Sequence, residues 1–471
     1  MTSKIAQRRG LRIIRETARL AAISALLAGA ILFSTRADLA RTNKSPHPNS
    51  SASLASGSEK ELSPKDRAEV LEDVWKNVRD RYYDPEFHGV NWEEVGNRYR
   101  PQVEGVKTDQ EFYALVNRMT GELHDAHTRF NTPEQWANRE KDLGVSIGFS
   151  AAERDNAIIV TDVYPDSNAA DAGIEPGMTV LTVNDKPIAD QIAEAAKTVL
   201  PSSTERITRR RVLGTVFKGA EGVTYKIGLQ RADGSKFEAS VTKQTISVPP
   251  DVRDKLLPSG EAYIRFDGFK PPVIREFQEA LEKYRNAPGV VIDLRQNGGG
   301  QTGVLSAIAG YFFNAKTIIA KDMSRKDIAS EESSGKDKTH RTFSAGKSGG
   351  QIYAGPVVIL TSEGTASASE IFTAAFQDTG RAKIVGTQTC GCVVGIANNQ
   401  KMKGGGVLEV SEVLFFTPKG RKLEGDGVTP DTKVVPTITD LQQKRDAALV
   451  QAEQLLATMS SAKPVVASGQ Q

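Results

Sequence analysis

Gly355 to Gln400 reads G-P-V-V-I-L-T-S-E-G-T-A-S-A-S-E-I-F-T-A-A-F-Q-D-T-G-R-A-K-I-V-G-T-Q-T-C-G-C-V-V-G-I-A-N-N-Q. The apolar, β-branched run Val357–Thr361 predicts a strand buried on both faces. Ser362-Glu363-Gly364-Thr365 is a turn signal, and Ile371, Phe372, Ala375 and Phe376 then recur on one face of a helix. Ser367 falls where the strand gives way to the first turn of that helix. Backbone N–H groups there lack intrahelical partners, and the helix dipole favours negative charge. A serine so placed can attack a carbonyl while backbone amides receive the developing oxyanion. The plainer reading of the same residue is an N-cap or a packing position in a small-residue turn.

The segment G-T-A-S-A-S-E-I, Gly364–Ile371, resembles the nucleophile segment of the tail-specific, or C-terminal-processing, serine peptidases. The resemblance implies that Ser367, the third residue before Glu370, is the attacking serine. The general base of that family is usually a Lys in a T-F-G-K-G segment, with a Gln often following it. Here the matching segment is Thr389-Cys390-Gly391-Cys392-Val393; Cys392 stands in the Lys position and Ile396 in that of the Gln. The usual Ser–Lys dyad is therefore absent.

The 471 residues suffice for about three domains. An apolar content of 39% and a charged content of 25% suit a globular chain. The net charge of +3 is concentrated at the start, where residues 1–37 hold seven Lys/Arg and one Glu. The remainder, with 54 basic and 57 acidic residues, gives no electrostatic case for nucleic-acid binding. Two cysteines, Cys390 and Cys392, cannot form a disulfide framework, and the single intervening residue argues for thiols. Their segment lacks histidine, so no metal site is implied, and no organic cofactor either.

Lys4, Arg8, Arg9, Arg12, Arg15 and Arg19 precede an apolar run from Leu20 to Phe33, with small residues at Thr35 and Ala37. This is the layout of an export signal, with an uncleaved membrane anchor as its rival. Either implies an extracytoplasmic location, the periplasm or the cell surface. Residues 38–61 are Ser-, Asn- and Pro-rich and read as a disordered linker.

Residues 62–141 form an N-terminal helical segment. Ser63-Pro64 is a helix start, and Leu71, Val74, Trp75, Val78 and Tyr82 recur at helical spacing. A second helix carries Trp92, Val95 and Tyr99; a third opens on the capping box Thr108-x-x-Glu111 and ends in His124-Asp125-Ala126-His127-Thr128. Val74–Trp92 and the D-x-H-T ending resemble tricorn-type members of the same broad family. That resemblance makes His127 a candidate general base; the alternative is a loop histidine that fixes the bundle to the core. Imidazole can deprotonate serine near neutral pH without a large pKa shift.

Residues 142–246 alternate short strands with turns. Ser167-Asn168-Ala169-Ala170-Asp171-Ala172-Gly173-Ile174-Glu175-Pro176-Gly177-Met178 resembles a PDZ domain of the circularly permuted kind embedded in these peptidases. A PDZ groove adds a peptide C-terminus as a strand, and Val145, Ser146, Ile147, Gly148 and Phe149 are the candidate receiving edge. The partners implied are proteins or peptides with exposed C-termini. The basic stretch Ser202–Val216 reads as a solvated surface excursion.

Residues 247–440 form the candidate serine peptidase core. The strand Val290–Leu294 leads into Arg295-Gln296-Asn297-Gly298-Gly299-Gly300, which resembles the family's D-L-R-x-N-x-G-G. By that resemblance Gly299 supplies an oxyanion-hole amide, with Ala368 as its partner. Leu423–Asp431 resembles the closing G-x-G-V-x-P-D segment and makes Glu424 a candidate supporting carboxylate. Lys321–Gly350 reads as a long polar loop, Val407–Phe416 as a strand, and Leu441–Met459, within 441–471, as a helix before a loose tail.

The expected architecture is α+β and multidomain: a helical segment, a PDZ-like β-rich domain, and an α/β core with a mixed sheet, ClpP/crotonase-like by resemblance. Three functional readings stand: Ser367 with His127 as base and Glu424 assisting, Ser367 with Cys392 as base, or a PDZ module that binds peptides without cutting them.

Overall fold

The computed structural model describes residues 61–247, 251–334, 341–346 and 352–461. The export or anchor segment, the linker up to residue 60 and the last ten residues lie outside the described residues.

The chain begins with helices α1 (Pro64–Arg81), α2 (Trp92–Tyr99) and α3 (Asp109–Gly121). Two of the expected start signals are in place. Ser63 and Asp66 form a capping box on α1, and Thr108 and Glu111 form one on α3. The buried Arg67 guanidinium reaches from α1 to Asp109 at 2.9 Å and to the Val106 carbonyl at 3.1 Å, so the two helices share one polar anchor. Strand β1 (Arg129–Asn131) and helix α4 (Pro133–Glu140) follow.

Strands β2 (Leu143–Ser146), β3 (Phe149–Arg154), β4 (Ala157–Val163), helix α5 (Asn168–Asp171), β5 (Thr179–Val183), β6 (Lys186–Pro187), helices α6 (Ile188–Ala196) and α7 (Glu205–Val216), and β7 (Thr224–Gln230), β8 (Lys236–Thr242) and β9 (Gln244–Ser247) make the PDZ domain and its stem. Its antiparallel sheet runs β3-β4-β5-β7-β8 around Val160, Val180, Ile227 and Leu229. The stem is the antiparallel pair β2–β9, in which Ser146 faces Gln244 and Leu143 faces Ser247.

The core sheet contains β10 (Arg253–Leu256), β11 (Ala262–Arg265), β12 (Val290–Asp293), β15 (Val357–Thr361), β16 (Lys383–Gly386) and β21 (Thr432–Lys433), in that order. All pairs are parallel except β10–β11, so the sheet is mixed. The period of two explains why its central strands are apolar throughout. Val290, Ile292, Val357 and Ile359 face α8 (Pro271–Lys283), α9 (Thr302–Ala309) and their neighbours. Val291, Val358 and Leu360 point the other way, onto Ala448, Ala452 and Leu456 of the C-terminal helix. A second sheet joins β13 (Thr317–Ser324), β14 (Arg341–Ala345), β17 (Val394–Gly395) and β20 (Val413–Phe416); a third joins β1, β18 (Gln400–Lys401) and β19 (Val407–Glu409). Leu408, Val410, Leu414 and Val394 pack with the apolar faces of α1 to α3, so the N-terminal helices and the core share one hydrophobic cluster.

Three expectations are corrected. Lys321–Gly350 is no simple loop: it contains the second half of β13, helix α10 (Arg325–Ser334) and β14. Ile319, Ala320 and Met323 bury β13 between two partner strands, a context its polar flanks conceal. Val407–Phe416 is two strands in different sheets, broken at Ser411, whose N–H and hydroxyl are taken by Thr128 and Asp125. Leu441–Met459 is also split, between α12 (Ile438–Gln442) and α13 (Ala447–Ser461). Asp446 in the break accepts two hydrogen bonds from Arg295, at 2.9 and 2.7 Å.

Candidate active site

The site lies at the C-terminal ends of β12 and β15. The two loops are stitched together: Thr365 Oγ1 donates to the Leu294 carbonyl at 2.8 Å, and Ser362 Oγ to the Arg295 carbonyl at 2.5 Å. The chain then turns through Ser367 into α11 (Ala368–Asp378). Ser367 has φ 57° and ψ −122°, a conformation that L-residues seldom adopt. Its N–H is shared between the Cys392 carbonyl and Glu370 Oε2, both at 3.0 Å.

Gly299 lies directly against this turn. Its φ is +99°, and a Cβ there would come within 2.7 Å of Ser367 Cβ and 3.0 Å of Ala368 N. The Ala368 N–H has no acceptor among the described residues. The Gly299 N–H, in contrast, is donated to Asn297 Oδ1 at 3.0 Å. Asn297 is fully buried; its Oδ1 also accepts the Ser369 hydroxyl at 2.6 Å, and its amide donates to the Phe266 carbonyl at 2.9 Å. The glycine loop and helix α11 are thus locked to one side chain.

His127 sits in the turn after α3. Asp125 Oδ1 accepts the N–H groups of His127 and Thr128, both at 2.6 Å, and the Ser411 hydroxyl at 3.1 Å. The imidazole Nδ1 is enclosed and has no hydrogen-bond partner among the described residues. Burial pushes the His127 pKa down to about 4, helped by Arg129 and opposed by Asp125 and Glu409. Glu424 is buried and accepts the Val393 N–H at 2.5 Å; burial pushes its carboxyl up to about 7, with the charges of Asp125 and Glu370 adding to the rise.

Cys390 and Cys392 are joined in a disulfide, which corrects the reading as thiols. Gly391 makes the short bridge feasible. Its φ of +72° folds the segment so that the two Cα atoms lie 5.2 Å apart, inside the usual disulfide range. Both cysteines are buried in a small cluster with Ile207, Ala126 and Ala366. The neighbours of the candidate nucleophile and of the candidate base, Ala366 and Ala126, therefore meet at the bridge.

That cluster corrects the reading of Ser202–Val216 as a solvated excursion. The start of α7 is seated on the site: Thr204 Oγ1 donates to the Cys390 carbonyl at 3.1 Å, and Arg206 reaches the carbonyls of Cys390 and Asp426 at 3.4 and 3.3 Å. The Ala126 N–H donates to Ser203 Oγ at 3.0 Å, and Arg211 donates to the Asp125 carbonyl at 3.4 Å. Of the four arginines, Arg206 is half-buried and Arg209, Arg210 and Arg211 are exposed, so only part of the stretch is a solvated face.

The candidate peptide edge spans the end of the stem and the start of the PDZ sheet. The backbones of Val145 and Ser146 pair on one side with Thr245 and Gln244 in the two-stranded stem. Ile147 and Phe149 turn their side chains into the PDZ core, and Gly148 (φ +86°) packs on Ser167. The edge strands of the PDZ sheet are β3, which begins at Phe149, and β8.

Sequence comparison matches the family described as Peptidase family S41 over residues 261–434, the Tricorn protease C1 domain over residues 63–121 and the PDZ domain over residues 137–208. The probable CtpA-like serine protease of Staphylococcus haemolyticus is 26% identical over 329 residues, 68% of this chain and 59% of that protein. Its namesake in Staphylococcus aureus is 27% identical over 326 residues, with the same shares. The chain thus matches 59% of the length of these curated relatives. Among solved structures, mature CPAF aligns with a TM-score of 0.64 at 14% identity, covering 86% of this chain and 99% of that one. The photosystem II D1 C-terminal processing protease aligns with a TM-score of 0.52 at 20% identity, covering 84% and 98%. At such identities the likeness is one of fold. Along the chain the three matches follow in the order Tricorn protease C1 domain, PDZ domain, Peptidase family S41, so the chain is similar to the CtpA-like serine proteases and carries a PDZ domain and an S41 peptidase core.

Proposed function

We propose that the protein is an exported serine-type endopeptidase that hydrolyses peptide bonds in proteins engaged by their C-termini. Ser367 is the nucleophile, and the observation that carries this reading is its backbone. A non-glycine residue at φ 57°, over-determined by Cys392, Glu370 and Gly299, is a strained position of the kind that functional sites retain.

In this mechanism Ser367 Oγ attacks the scissile carbonyl and its proton passes to His127. The imidazole is neutral at neutral pH, and the charges of Asp125 and Glu409 stabilise the imidazolium that forms. The proton then goes to the leaving amine, and water releases the acyl group by the reverse sequence. Ala368 N–H meets the oxyanion; the Gly299 N–H joins it once Asn297 gives it up. Cys392 is not the base while bridged, since a disulfide sulfur has no proton to exchange. Glu424 holds the loop in register through Val393. The PDZ domain engages the chain terminus, and the enzyme works in the periplasm or at the cell surface, secreted or held by its N-terminal segment.

One observation favours a second reading. The Gly299 amide is already satisfied by Asn297, as it would be in a homologue that binds peptide termini without cutting them. Labelling with a fluorophosphonate separates the two. Wild-type protein is expected to label at Ser367, and Ser367→Ala is expected to remain unlabelled. A folded wild type that does not label would leave the binding module.

A further inference from the structure

The Glu370 carboxylate is wholly enclosed in protein and receives four donors. Oε2 accepts the N–H groups of Ser367 and Cys392 at 3.0 Å each. Oε1 accepts the Gly391 N–H at 2.7 Å and the Thr389 hydroxyl at 2.5 Å. Thr389 Oγ1 itself accepts the Val428 N–H at 2.7 Å, which leaves its proton free for Glu370. A carboxylate has about four lone-pair sites, and here all are filled by donors. The shell suits the anion; an acid or an amide would set its own hydrogen against one of these donors.

A glutamate three residues after an N-cap is common, and at an exposed helix end it costs little. Burying the charge is expensive, and burial raises this carboxyl to about 7. Helix capping alone does not require that expense. The four donors come from two places: one from the nucleophile's backbone, and three from the segment where related peptidases carry their base. Without Glu370, the strained Ser367 N–H would be held by the Cys392 carbonyl alone.

We propose that Glu370 is a positioning residue that fixes the Ser367 turn, and with it the Ala368 N–H, against the Thr389–Cys392 segment. The proposal rests on Ser367 being the nucleophile, and the test separates the two. Fluorophosphonate labelling of the full chain is followed to saturation in wild type, Glu370→Gln and Glu370→Asp, with the labelled residue identified by mass spectrometry. Absence of label on wild-type Ser367 overturns the peptidase reading and this proposal with it. Where wild type labels, Glu370→Gln is expected to lower the maximal rate roughly 100-fold, the cost of a small misplacement of a reacting group. The half-saturating concentration should stay within about twofold, because Glu370 does not touch the probe. Glu370→Asp should recover part of the rate. A folded Glu370→Gln that labels at the wild-type rate, or one that changes only the half-saturating concentration, overturns the proposal. If Glu370→Gln does not fold, hydrogen exchange in wild type decides. The Ser367, Gly391 and Cys392 amides end on one carboxylate and should exchange with a common protection factor; values spread over more than about tenfold overturn it.

Discussion

The Ser367 N–H points at the carbonyl of Cys392, 3.0 Å away. The residue in the position of the family's Lys therefore holds the proposed nucleophile through its backbone, while its sulfur is bonded to Cys390. A bridge that closes so short a loop constrains the unfolded chain little, by about 1–2 kcal/mol. Cys392→Ser is accordingly expected to lower the melting temperature by only a few degrees and to keep fluorophosphonate labelling within about tenfold of wild type. Loss of label in Cys392→Ser but not in His127→Ala would instead make the cysteine the base.

Access to the bridge is controlled by α7. Ile207 is buried against both cysteines, which are themselves only 4% and 2% exposed. Ile207→Ala should open a path for a small dithiol and speed reduction of the disulfide by roughly tenfold. Alkylation of the released thiols, read by mass shift over time, measures this. Equal rates in the two proteins would show that α7 does not shield the bridge.

His127 carries a pH signature. Its folded pKa of about 4 lies below the ordinary imidazole value of 6.5, so on acidification the unfolded chain takes the proton first. The stability associated with the neutral imidazole is complete above pH 6.5 and is lost as the pH falls through about 4. At about 1.4 kcal/mol per pKa unit, the span is at most about 3 kcal/mol, less what solvent screening removes. His127→Gln should flatten the melting temperature across this window and lower the labelling rate by roughly 100- to 10,000-fold.

Glu424 has the opposite sign. Its folded pKa of about 7 exceeds the ordinary glutamate value of 4.5, so its contribution is complete below pH 4.5 and is lost as the pH rises through about 7. Gln at this position can still accept the Val393 N–H. The melting temperature of Glu424→Gln relative to wild type should therefore be higher at pH 8 than at pH 5. A difference that does not change with pH would remove Glu424 from the titrating groups.

Gly299→Ala adds a Cβ at φ +99°, 2.7 Å from Ser367 Cβ. The strain should cost about 1–3 kcal/mol of stability, measured by chemical denaturation. Labelling should fall roughly 100-fold, because the displaced neighbour is the proposed nucleophile.

Much of this was legible in the sequence because it is local. The buried strand Val357–Thr361, the helix beyond Ser367 and the strands Thr224–Gln230 and Lys236–Thr242 follow from the two hydrophobic periods. Glu370 was also within reach, since Ser367-x-x-Glu370 has capping-box spacing. What escaped depends on distant partners. Thr204 and Arg206 look like surface residues until Cys390 and Asp426, about two hundred residues away, are folded beneath them. The interruption between α12 and α13 is set by Asp446 meeting Arg295, which no helical pattern records. The Cys390–Cys392 bridge depends on the backbone at Gly391 rather than on residue spacing.

The stem β2–β9 carries the chain into the PDZ domain and out again on adjacent strands, with Ser146 opposite Gln244. The PDZ domain is thus a cassette hung on a hairpin whose loop happens to be a whole domain. A two-residue turn such as Asn-Gly could close the same register and leave the catalytic core's path unbroken. That shortened chain would also lose α7, so cutting the cassette out would strip the roof from the disulfide.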